Sequence, residues 1–396
     1  MARVEFAWEL GAGTGHVTTL FPLARAMKAR GHAVRFFLRD ISAGADLEGA
    51  DEIPREGAPI WTGPATVEQP LNFGEILLNF GYHHAPQHKQ LIDAWRERLA
   101  GAHAVVANVA PAAHLAARTL GIPSFEISQG FHAPPPTMPS PPLKHWEPAP
   151  RARLEASDRR VLDVINTVLF AYGAQPLSTL GELFAGRLML LTYPELDIYP
   201  ERGPSDYYGI TDSGEGSAAP DWPEGAGPRL FAYLYFYFKG LDPLLAAIAA
   251  RNQPALVFCR GIDPKLKEKY ERSSIRFSAE AMAVSRVLPG ADMVVCHASH
   301  QMTAQALLAG KPVLLLPTQL EQFLIMRRLV RFGAGLGIAP EMPNADYASA
   351  LKSLGDKPEH AAKAREFAGR YAGHSREAAL ATMVARVEAA LPRPSR

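Results

Sequence analysis

The sequence predicts an α/β protein made of two doubly wound, Rossmann-like parallel-sheet domains facing a central cleft. Three observations predict it. Short apolar or β-branched runs alternate with helical patterns along the chain. The runs fall into two series, residues 4–8, 34–38, 104–107, 124–127 and 188–192, then 230–235, 255–259, 293–296 and 313–316. A stretch rich in Gly, Pro, Ser and Asp, 208–229, separates the series.

Each element has its own reason. The strand runs are apolar on both faces, as strands of a covered parallel sheet are. After the first strand, Thr18 or Thr19 can cap a helix, Pro22 suits its first turn, and Gly31 after Arg30 stops it. The segment 133–150 carries eight Pro in eighteen residues. It reads as an ordered loop or a semi-rigid spacer, either shaping a site or facing solvent without a role. The expected domains are 1–210, a linker 211–228, and 229–396. The Ala-, Arg- and Glu-rich stretch 357–390 is helical in pattern and either crosses back to the first domain or closes the second.

Composition excludes several classes. The 396 residues hold 41 Lys+Arg against 40 Asp+Glu, a net charge of +1, which argues against a nucleic-acid binder or an acidic tail. An apolar fraction of 47% and a charged fraction of 20% fit a chain with a substantial core. The two cysteines, Cys259 and Cys296, cannot build a disulfide framework, so a reduced, cytoplasmic protein is expected. No run reaches the ~20 apolar residues of a membrane span. Glu5 and Glu9 near the start, without a basic region, argue against a signal peptide.

The first motif is Gly11-Ala12-Gly13-Thr14-Gly15-His16, between the first strand and its helix. A dinucleotide fingerprint needs a glycine at the position held by His16. Gly13 and Gly15 instead let a ligand approach the backbone closely. A helix N-terminus keeps the His16 imidazole neutral and able to accept a proton, which suits a general base on an acceptor hydroxyl. The alternative is a hydrogen-bonded polar residue at a helix start.

The second motif spans 296–326. His297 ends a strand, Ser299 can cap the next helix, and Gly310-Lys311-Pro312 ends it. His297, Ser299, His300, Gln301 and Thr303 therefore crowd one helix N-terminus, where unpaired N–H groups suit a diphosphate. Gln305 is placed to reach a ribose, and Glu321 and Gln322 offer acceptors and donors to sugar hydroxyls. The spacing of Cys296, His297 and His300 is not that of a zinc site, so no metal is expected. His83, His84 and His88 read as a solvated or locally hydrogen-bonded cluster.

Together the motifs resemble the family 1, UDP-glycosyltransferase-like enzymes of GT-B fold. GAGTGHVTTLFPLARAMKARGHAV looks like the family's amino-terminal Gly-His turn and helix. LPGADMVVCHASHQMTAQALLAGKPVLLLPTQLEQ looks like its donor-binding motif, and the resemblance covers nearly the whole chain. It implies an inverting, metal-independent transfer of a sugar from a nucleotide-diphosphate sugar, of UDP or dTDP type, to an acceptor hydroxyl. No other cofactor is implied. By the same resemblance His16 is the base, His297, Thr303 and Gln301 contact the diphosphate, Gln305 the ribose, and Glu321 and Gln322 the sugar.

There are departures. Asn108 stands where the family has a base-supporting Asp, Ala298 and Ser299 replace Gly-Gly, Gln305 replaces Glu, and Glu321 replaces Asp. An amide can orient imidazole but cannot stabilise imidazolium by charge. Residues 281–284 lack the Trp on which a nucleobase stacks. These changes fit either an active enzyme with an unusual donor site or a transferase-like auxiliary protein; a nucleotide-sugar epimerase is a third class. The acceptor is expected to be apolar or aromatic. Phe80, Tyr82, Phe131 and His132 are its candidate partners, with Trp61, Phe73 and Trp146 nearby in sequence; the same aromatics are equally suited to a core.

Overall fold

The computed structural model describes residues 1–211, 218–339 and 345–392. Residues 212–217 of the expected linker, and 340–344 and 393–396 of the expected second domain, lie outside the described residues.

The chain divides into two compact units. One comprises Met1–Tyr193, Tyr199–Thr211 and Ser375–Arg396; the other comprises Pro194–Ile198 and Asp212–His374. The first contains strands β1 (Arg3–Trp8), β2 (Ala33–Leu38), β3 (Arg55–Gly57), β4 (Ala104–Asn108), β5 (Ser124–Ser128) and β6 (Leu188–Leu190). The second contains β7 (Leu230–Tyr235), β8 (Ala255–Arg260), β9 (Ile275–Ser278), β10 (Met293–Cys296), β11 (Val313–Leu315) and β12 (Gly335–Gly337). Helices of the first unit are α1 (Gly15–Ala29), α2 (Phe73–Leu78), α3 (Ala85–Leu99), α4 (Pro111–Leu120) and α5 (Arg151–Ala171). Those of the second are α6 (Leu241–Ala250), α7 (Pro264–Tyr270), α8 (Val284–Val287), α9 (His300–Leu308), α10 (Leu320–Phe332), α11 (Tyr347–Asp356) and α12 (Pro358–Arg370). The last helix, α13 (Arg376–Ala389), returns to the first unit.

Among the described residues each unit forms one parallel sheet, in the orders β3-β2-β1-β4-β5-β6 and β12-β11-β10-β7-β8-β9. Both orders reverse between the first and fourth strand of the sheet, which is where doubly wound folds bind ligands. In the first unit the switch point lies between β1 and β4, with Trp8 in register with Asn108. In the second it lies between β7 and β10, with Tyr233 in register with Cys296.

Alternation along the strands divides the first core into two faces. Val4, Phe6 and Trp8 pack with Leu20, Phe36 and Val106 on one face. Ala7, Phe37, Val105 and Ala107 pack with Trp95 and Ile165 on the other. Both faces being covered explains the continuously apolar runs. Met383, Val384 and Val387 of α13 join the first face. Glu388 fastens that helix by accepting from Arg30 Nε at 2.7 Å and pairing with His32 Nε2 at 3.0 Å.

The sequence does not announce β3, β9 and β12, all at sheet edges. They are short, and Arg-Glu-Gly, Ile-Arg-Phe-Ser and Gly-Leu-Gly carry no two-faced apolar run because an edge is covered on fewer sides. Helix α1 also differs from expectation. It starts at Gly15 with Thr14 as N-cap, so Thr18 and Thr19 lie inside it and donate back to the Gly15 carbonyl at 3.0 and 2.7 Å. Pro22 lies beyond the first turn.

The Pro-rich segment is ordered by one buried carboxylate. Asp158 Oδ2 accepts from Ser140 N at 2.5 Å; its Oδ1 accepts from Ser140 Oγ and from Asn72 Nδ2, both at 2.9 Å. Three donors stabilise a carboxyl group in the core, although burial still pushes it up to about 6.

Candidate functional site

His16 opens α1 and lies half-buried at the carboxyl end of β1. Its ring stacks on Trp8 at 5.0 Å and 20°. The Asn108 amide at the end of β4 decides its tautomer. Asn108 Nδ2 donates to the Ile127 carbonyl at 2.5 Å, and a carbonyl can only accept. Asn108 Oδ1 is thereby turned toward His16 and accepts from Nδ1–H at 2.6 Å. The remaining nitrogen, Nε2, carries the lone pair. Burial lowers the imidazole below its usual value, the Asn108 bond opposes this, and the Arg39 cation adds to it.

Gly11 keeps Nε2 accessible. It adopts φ +87°, and a Cβ there would lie 2.5 Å from His16 Nε2. A side chain would both strain the backbone and displace the ring. Gly13 and Gly15 differ: a Cβ at either would meet nothing within 4 Å, so their backbone is open to a ligand.

The loop carrying Asn108 is held under strain. Val109 takes φ +54°, rare for a β-branched residue. Its N–H donates to Glu126 Oε1 at 2.9 Å and its carbonyl accepts from Leu10 N at 2.9 Å. Glu126 is fully buried and pairs with His114 Nε2 at 2.9 Å. Glu9, also fully buried, accepts from Ala112 N at 2.9 Å and so satisfies the start of α4. Burial pushes the Glu9 carboxyl up to about 8.

The expected acceptor residues separate into two groups. Phe131 and His132 are half-buried and pack edge-to-face at 4.6 Å. Burial drives the His132 imidazole down to about 3, with His16 adding an electrostatic contribution, which places the two rings within reach of each other's field. Tyr82 corrects the expectation. It is fully buried in the core cluster with Leu10, Phe73 and Trp95, so it lines no surface. Phe73 is core as well, and Phe80 packs against its edge. His88 is not solvated: it is fully buried against Tyr82 at 4.0 Å, and burial drives it down to about 3. Trp61 packs edge-on to His83 at 5.7 Å, and Trp146 is half-buried in the Pro-rich loop.

In the second unit His297 immediately follows β10. Its Nδ1–H donates to the Leu316 carbonyl at 2.8 Å, and its Nε2 accepts from Tyr235 N–H at 3.0 Å. The ring stacks on Tyr235 at 5.3 Å and 24°, and burial keeps it neutral. Both nitrogens brace neighbouring strand ends, so contact with a diphosphate would require exchange of one of these bonds. Ala298 then takes φ +56°, the left-handed conformation suited to the glycine it replaces. Ser299 is the N-cap of α9 without a side-chain cap bond, contrary to expectation.

Helix periodicity sorts the remaining donor candidates. His300, Thr303 and Gln305 are buried, whereas Ser299 and Gln301 are half-buried at the helix start. Gln322 is buried, and its Oε1 accepts from Thr318 N at 2.8 Å and from Thr318 Oγ1 at 3.0 Å. Glu321 is half-buried, with its carboxyl raised by desolvation. Met282, Ala283 and Val284 are buried. The exposed aromatics of this unit are Phe236 and Tyr237, just beyond β7. Tyr237, Phe238, Lys239, Thr318, Gln319 and Tyr347 line a cavity of about 560 Å³ there. Among the described residues no group of His, Cys, Asp and Glu is arranged to hold a metal ion, and no helix is long and apolar enough to cross a membrane.

No protein-family model matches the chain, and no curated protein matches its sequence. Solved structures do match. The calicheamicin glycosyltransferase CalG4 superposes with a TM-score of 0.70 at 18% identity over 100% of both chains. The glycosyltransferase VinC in complex with dTDP gives 0.66 at 16%, covering 97% of this chain and 100% of VinC. The spinosyn rhamnosyltransferase SpnG complexed with thymidine diphosphate gives 0.64 at 19%, covering 96% and 99%. At such identities the likeness establishes the architecture: this chain has the GT-B fold.

Proposed function

We infer that this chain of GT-B fold is a glycosyltransferase that moves a sugar from a nucleotide-diphosphate sugar to a small-molecule hydroxyl, with inversion and without a metal. The observation that carries the reading is the His16–Asn108–Ile127 relay of hydrogen bonds, which leaves an accessible imidazole nitrogen unprotonated. The acceptor hydroxyl gives its proton to His16 Nε2 as its oxygen attacks the anomeric carbon. The bond from that carbon to the diphosphate oxygen breaks, and the nucleoside diphosphate leaves with the electron pair. The start of α9, where Ser299 makes no cap bond, is the group assigned to the departing charge. Gln322 and Glu321 are assigned to sugar hydroxyls.

The solved neighbours support the dTDP-type donor of the two expected, since VinC and SpnG were each seen with a thymidine diphosphate. Natural-product acceptors agree with CalG4 and SpnG, whose names specify calicheamicin and spinosyn. The test is His16→Ala with dTDP-glucose and UDP-glucose as donors. Transfer should fall by about 10²–10⁴-fold. Nucleoside diphosphate should still raise the melting temperature, as a ligand of the native state does. Undiminished transfer in the variant would remove His16 from the base role.

A further inference from the structure

We propose that the acceptor class of this enzyme is the acidic hydroxyl, phenolic or enolic, rather than the aliphatic alcohol. The proposal rests on the reading of His16 as the base and asks what proton that base can take. Removing a proton in the transition state becomes harder as base and acceptor differ more in basicity. An enzyme serving aliphatic alcohols needs an anion behind its imidazole, to stabilise the charge the ring acquires.

Among the described residues, the groups around His16 supply none. From β4 comes the Asn108 amide, and its orientation is not interchangeable with a carboxylate, because the Ile127 carbonyl requires a donor from it. Just after β2 comes Arg39, half-buried, with Nη1 donating to the Glu9 carbonyl at 3.1 Å and its cation also acting on the buried Glu9 carboxyl. Its cation acts on the His16 ring. From the loop after β5 comes His132, a second imidazole in electrostatic reach. From β1 comes Trp8, apolar and stacked. The carboxyl of Glu9 is fully buried and turned to the α4 start, and that of Asp40 is exposed and held by Ser42 N at 2.9 Å.

The same surroundings favour an acidic acceptor in a second way. Arg39 opposes a positive ring but favours negative charge developing on an attacking oxygen. A phenol ionises near 10, as tyrosine does, far more readily than an aliphatic alcohol. The proton, the new carbon–oxygen bond and the departing diphosphate are those of the proposed reaction; only the acceptor's class is added.

The test is a graded acceptor series with the full chain, substituted phenols against primary aliphatic alcohols, each with dTDP-glucose and UDP-glucose. Phenols should be glycosylated at least about 100-fold faster than alcohols. Arg39→Gln keeps a donor for the Glu9 carbonyl and removes the cation. It should raise the alcohol-to-phenol ratio by about threefold and move the acid limb of the rate profile to higher pH. Asn108→Asp should move both in the same direction if it folds. A merely structural role for either residue would scale both acceptor classes together and leave the ratio unchanged.

Equal rates for the two classes in the native chain would overturn the proposal while leaving the transferase reading intact. So would a ratio that Arg39→Gln leaves unchanged. No transfer to any acceptor, with nucleoside diphosphate still raising the melting temperature, would overturn the transferase reading and this proposal with it.

Discussion

His16 and His297 each lie at the switch point of their own sheet, and their surroundings match in several respects. Each stacks on an aromatic residue, Trp8 at 5.0 Å and Tyr235 at 5.3 Å. Each donates from Nδ1–H to a fixed acceptor, Asn108 Oδ1 at 2.6 Å and the Leu316 carbonyl at 2.8 Å. Burial lowers both below the usual imidazole value. They differ at Nε2. The Tyr235 N–H occupies it in His297, while Gly11, lacking a side chain, leaves it accessible in His16. One backbone N–H thus separates an imidazole whose Nε2 is taken up within the fold from one whose Nε2 is left accessible. The type of residue, its tautomer and its burial are shared by the two rings; the occupancy of the second nitrogen is what distinguishes them.

The comparison breaks most sharply at Gly11. Gly11→Ala puts a Cβ where Nε2 now has space, in a backbone conformation costing about 1–2 kcal/mol for any residue with a Cβ. Displacing the ring by about 1 Å should slow transfer by about 100-fold. A steady-state assay beside a thermal melt separates the two effects, and unchanged turnover would show that Nε2 is not the reacting atom.

His297→Ala should behave in the opposite manner. It orphans the Leu316 carbonyl and the Tyr235 N–H, which should cost about 2 kcal/mol of stability by chemical denaturation. Turnover of the folded fraction should fall much less than in His16→Ala. A large loss of turnover without destabilisation would assign His297 to the ligand instead.

pH should distinguish the two imidazoles next. A base works unprotonated, and burial lowers His16, so the acid limb of turnover should fall below the usual 6.5. Nucleoside diphosphate affinity should stay flat across that limb if the Tyr235 N–H keeps the His297 lone pair when the ligand binds. An affinity that follows the same limb would contradict the difference drawn between the two rings.

The smallest effect is expected at Ala298. It takes φ +56° after His297, as Val109 takes φ +54° after Asn108, each following the fourth strand of its own sheet. Ala298→Gly should relieve the left-handed strain, partly offset by a freer unfolded chain, for a net gain of about 0.5 kcal/mol. Destabilisation in thermal melts would show that the Ala298 methyl, which is fully buried, contributes more by packing than the strain costs.

Much of the fold was legible in the sequence because two-faced apolar runs report the central strands of parallel sheets directly. Strands β1, β2, β4, β5, β7, β8, β10 and β11 announce themselves that way, and so does the edge strand β6, Leu-Met-Leu within the expected run 188–192. The edge strands β3, β9 and β12 do not, since an edge tolerates Arg, Glu and Gly. The site was legible where local spacing carries it: glycines around His16, and a strand running into α9 after His297. It was not legible where burial decides. Tyr82 is sequence-adjacent to half-buried aromatics but packs inward, and His300, Thr303 and Gln305 share a helix with Gln301 yet face the core. Arg39 carried a faint signal, a cation at the carboxyl end of an apolar strand.

By itself the sequence determined the alternation of elements, the division into two parallel-sheet units and the two strand-to-helix turns at which chemistry could gather. Those are properties of short windows, set by periodicity and by glycine's conformational freedom. The tertiary structure alone decided that the Ile127 carbonyl orients Asn108, that Asn108 sets the His16 tautomer, and that Tyr235 closes His297. These partners lie 19, 92 and 62 residues apart, so no local pattern encodes them. A hydrogen bond is directional over about 3 Å, and only the folded chain brings those donors and acceptors that close.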